Sequence, residues 1–60
     1  MYILTTSVPG KVLRTGAPVG ASQALRTWFD DEVTGYLVTC QDEKGAAVTK
    51  GQLRDVQRLA

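Results

Sequence analysis

The chain has 60 residues, one cysteine, no histidine and a formal net charge of +1. That length makes a single domain spanning residues 1–60, and it buries only about 60% of the surface its unfolded form exposes. A lone Cys40 excludes an intramolecular disulfide, the lack of histidine and of a thiol cluster excludes a zinc site, and the near-neutral charge lacks the basic excess usual in nucleic-acid binders.

From Tyr2 to Val8 the residues alternate, with Tyr2, Leu4 and Val8 on one face and Thr5 and Ser7 on the other, which predicts a strand. Val8-Pro9-Gly10-Lys11 is a type II turn signal, because proline presets the first central residue and glycine supplies positive φ at the second. Turns of that type splay a hairpin, so the next strand, Lys11 to Thr15, is expected to pair irregularly. Residues 16–20 form a loop. From Ala21 the period changes: Ala21, Ala24, Leu25, Trp28 and Phe29 fall on one face of a helix. Asp30, Asp31 and Glu32 then oppose the helix dipole, which places the helix end near Phe29 or Asp30.

Val33 to Gln41 is rich in β-branched and aromatic residues and reads as a strand. Asp42-Glu43-Lys44-Gly45 has the residues of a type I turn, and Ala46 to Val48 would be a short return strand. Thr49 followed by Gln52 matches a capping box, and Leu53, Val56 and Leu59 continue at helical spacing. The expected architecture is α+β: an antiparallel sheet of two hairpins, one helix near 21–30, and a short C-terminal helix near 50–59. The alternative is a five-stranded SH3-like barrel, with a 3₁₀ turn at 50–53 and a closing strand at 55–59.

The chemistry of the side chains excludes much. Without histidine the usual Ser-His and Cys-His nucleophiles cannot form, so no enzyme activity and no cofactor are expected. Cys40 sits in the predicted strand as a small core residue, and Trp28 faces the core from the helix. The loop Gly16 to Ser22 precedes a helix but carries Ala21 where a phosphate-binding loop needs lysine, so it reads as a connector.

Lys50, Arg54 and Arg58 repeat every four residues and line up within roughly 80° of one face of the last helix. This basic stripe is the candidate binding surface for a protein partner or for phosphate. Asp30, Asp31 and Glu32, together with Lys11 and Arg14, are candidate secondary contacts. Met1 to Val8 has neither the basic region nor the apolar run of a secretory leader, and no apolar run approaches a membrane span. An unpaired cysteine fits a reducing compartment, so a cytoplasmic location is expected and a membrane partner is not.

The expected function is a small non-catalytic module that regulates or inhibits a larger protein or complex by docking on it. Nucleic-acid binding through the basic C-terminal face is the alternative. A homo-oligomer with a shared site on its symmetry axis is the third reading.

Overall fold

A computed structural model describes residues 1–59. Strands β1 (Tyr2–Val8) and β2 (Lys11–Thr15) form the first hairpin, followed by helix α1 (Ala21–Thr34), strand β3 (Leu37–Asp42) and helix α2 (Lys50–Leu59). β1 lies at the centre of a three-stranded sheet of order β2-β1-β3, antiparallel on both sides.

The first hairpin turns at Gly10 with φ 80°, the positive value expected of that glycine. Its pairing is irregular, as a splayed turn requires: Thr6 pairs with Arg14 but Ser7 pairs with Val12, leaving Leu13 as a bulge.

The structure corrects the end of α1. The helix does not stop at the acidic residues but runs to Thr34, so Val33 belongs to the helix and β3 starts at Leu37. Two causes outweigh the unfavourable dipole. Asp31 and Glu32 each gain a distant partner, described below. Gly35, at φ 103°, closes a Schellman cap: its N–H donates to the Glu32 carbonyl and the Tyr36 N–H donates to the Asp31 carbonyl, both at 3.0 Å.

The turn after β3 forms as its residues dictate. Gly45 takes φ 84° and donates its N–H to the Asp42 carbonyl at 3.0 Å. The Asp42 carboxylate accepts from the backbone of Lys44 and Ala46 at 2.9 and 3.0 Å. The return stretch is less than the strand expected, since it contributes one bridge, Ala47 to Gln41.

Thr49 and Gln52 cap α2 reciprocally, the Gln52 N–H donating to Thr49 Oγ1 and the Thr49 N–H donating to Gln52 Oε1. Because Lys50–Leu59 is one α-helix, residues 55–59 form no closing strand; among the described residues the sheet stays open, and the barrel alternative is set aside.

Helix α1 lies on one face of the sheet, and α2 packs against α1 with Leu53 reaching the core on the same side. Leu4 and Cys40 from the strands meet Ala24, Leu25 and Trp28 of α1 and Leu53 of α2 in the core. The helices run antiparallel, with Lys50 against Glu32 at one end and Gln57 bonded to Ser22 at the other. Among the described residues no helix is long and apolar enough to cross a membrane.

Candidate docking site on the α1–α2 face

The basic stripe begins at Lys50, directly after the Thr49 cap. Leu53, fully buried, turns one face of α2 inward, while Lys50 and Arg54 lie along the seam with α1. Lys50 donates to Glu32 Oε1 at 2.7 Å, and its ammonium stands 5.8 Å from the Trp28 ring centre and 5.6 Å from that of Phe29. The Lys50 hydrogen bond, reinforced by its charge, holds the Glu32 carboxyl below the ordinary carboxylate range against a smaller opposing effect of desolvation. The Trp28 indole N–H adds a weak pull on that carboxylate but stands outside hydrogen-bond geometry, so Nε1 is a buried donor without a partner among the described residues.

Arg54 has no carboxylate partner among the described residues and stacks on Phe29, its guanidinium carbon 5.8 Å from the ring centre. Arg58 turns away to Asp55 of its own helix, 3.8 Å distant and exposed. The three stripe residues therefore have three different settings, and Arg54 alone presents an unneutralised charge.

The acidic run is likewise divided. Asp31 faces inward, where its Oδ2 accepts from Thr6 Oγ1 at 2.6 Å and from Arg14 Nη2 at 2.7 Å. Asp31 and Arg14 thus act within the fold, tying α1 to the first hairpin. Glu32 serves the helix seam, and Asp30 remains exposed. Lys11 lies at the far end of the hairpin, exposed and away from the stripe. Among the described residues no three thiol or carboxylate groups converge to hold a metal ion.

Two members of this surface were not visible as such in the sequence. Phe29, expected on the apolar face, is 42% exposed, and Val33 is 88% exposed. Arg26, Phe29 and Val33 follow at i, i+3 and i+7, within about 60° of one face. The spacing was present in the sequence, but it becomes a helical stripe only once the helix is known to reach Thr34. Together they give an aromatic ring and an aliphatic side chain flanked by two cations, Arg26 and Arg54, that lack acidic partners among the described residues. A scan against family models, a search of curated proteins and a search of solved structures each return no match.

Proposed function

We propose that this protein is a small non-catalytic binding module, a regulator or inhibitor that docks on a larger protein through the outer face of α1 and α2. A free thiol at Cys40 fits a reducing compartment such as the cytoplasm. The observation that carries the reading is the exposed Phe29–Val33 strip with Arg54 stacked on its aromatic ring. Aromatic residues and arginine are enriched in interface cores, and a stacked guanidinium has already lost part of the entropy that binding would remove. The partner it fits offers an apolar recess with an acidic rim, matching the unpaired charges of Arg26 and Arg54.

The nucleic-acid reading has less support. Salt-dependent binders commonly make about six to ten phosphate contacts. Here Lys50 and Arg58 each already have a carboxylate beside them.

The test is capture of partners from the native lysate by the tagged protein, with and without nuclease, beside the variants Val33→Asp and Arg54→Ala. The expected result is one protein complex recovered regardless of nuclease and lost with Val33→Asp. Recovery that disappears with nuclease, or that persists undiminished in both variants, contradicts the proposal.

A further inference from the structure

We infer that the face of the sheet turned away from the helices is a contact surface between two copies of this chain, packed face to face about a two-fold axis over Thr5. This surface is opposite the docking face and independent of it. Leu4 and Thr6 of β1 are buried toward α1, so Ile3, Thr5 and Ser7 point the other way. No helix covers them.

The register arranges this face in three rows. Ser7 stands between Val12 of β2 and Leu37 of β3, which are 60% and 58% exposed. Thr5 stands between Thr15 and Thr39, and Ile3 stands beside Gln41. The first row therefore sets a small residue between two large exposed apolar ones, and the third row carries the half-buried Ile3 on the same central strand. A two-fold axis across the strands at Thr5 exchanges these rows. Ile3 of each copy then lies over Ser7 of the other, between Val12 and Leu37, and the same contact is made twice.

Charge points to the same occupant. In such a contact any charged residue near the axis meets its own like. None of the chain's lysine, arginine, aspartate or glutamate residues occupies these positions, although they are distributed over the rest of the surface. The sheet edges offer less. β3 is bonded along its outer edge by the stretch 46–48, and β2 carries Lys11 and the Leu13 bulge, features that discourage an added strand. Face-to-face packing of two such sheets is the aligned sandwich arrangement.

The face measures roughly 15 by 23 Å from strand spacing and rise, a footprint of about 350 Å², which is small beside the ~800 Å² per partner of a stable interface. The dimer is accordingly weak and concentration-dependent.

Sedimentation equilibrium from about 10 µM to about 1 mM spans the affinities expected of such a contact. The mass should climb from the 6.5 kDa of one chain toward twice that value. Val12→Lys and Leu37→Lys, both at exposed positions, should keep a cooperative melt and weaken association at least tenfold, whereas Val33→Asp on the helix face should leave it unchanged. A single-chain mass at every concentration overturns the inference, as does a dimer indifferent to both lysine variants. A dimer lost only with Val33→Asp moves the contact to the helices and overturns it as well.

Discussion

Replacing Asp31 with alanine removes the acceptor that joins α1 to the first hairpin. Thr6 is 1% exposed, and its hydroxyl donates to Asp31. Losing that acceptor strands a buried donor, at a cost of about 1–3 kcal/mol. Arg14 adds at most about 1 kcal/mol, because its side chain is largely exposed and the pair is screened by solvent. Alanine's better helix propensity returns about 0.5 kcal/mol. The net loss is about 2 kcal/mol, a large share of the ~3–9 kcal/mol that a domain of this size possesses. With a urea slope near 1 kcal/mol/M, the midpoint of unfolding should fall by about 2 M. The sharper prediction is a change of sign. Thr6→Val should destabilise the wild-type protein, where it removes a donor from Asp31, but stabilise the Asp31→Ala protein, where it removes the stranded hydroxyl. Urea unfolding of the four proteins reads this directly. Equal effects of Thr6→Val in both backgrounds would refute the network, and so would an Asp31→Ala midpoint that does not move.

Three further outcomes follow from local geometry. Gly45→Val should lower stability by about 1–2 kcal/mol through backbone strain alone, since φ is 84° and an added Cβ meets nothing within 4 Å; an unchanged melting temperature would contradict the turn. Cys40 should resist thiol reagents in the native protein and react once urea unfolds it, because burial first and the Asp42 carboxylate second push its pKa up. Rapid labelling of the folded protein would count against a core position. Glu32 should titrate below its ordinary value of 4.5 and move back toward it in Lys50→Met, as followed by carboxyl NMR. Its folded pKa is depressed, so the stability it contributes is present above the unfolded pKa and lost as pH falls through the folded one. Lys50→Met should shrink that acid loss, and an unshifted Glu32 would dissociate it from Lys50.

Elements set by neighbouring residues were legible in the sequence. The Thr49–Gln52 cap and the positive φ of Gly10 and Gly45 depend on residues within four positions of each other. The core face of α1, apart from Phe29, was legible for the same reason, through its helical period. The end of α1 was not. The acidic run opposes the dipole locally, and what stabilises it comes from Thr6, Arg14 and Lys50, which stand 25, 17 and 18 residues away from their partners. Gly35 was the one local signal for a later stop, and the strand-like composition after Val33 masked it. The candidate docking surface was hidden for the same reason, because Val33 joins Phe29 only on a helix. The spacing of Lys50, Arg54 and Arg58 was readable, but which of them finds a carboxylate is decided by the packing of α2 on α1.

Engagement of a protein partner by the Phe29–Val33–Arg54 surface is what we propose, and titration calorimetry of the captured partner against wild-type and Val33→Asp proteins reads it. Val33 is 88% exposed, so the substitution should leave the fold intact. At least a tenfold loss of affinity, about 1.4 kcal/mol, is expected for a charge forced into an apolar recess with an acidic rim. Equal affinity for the two proteins would contradict it.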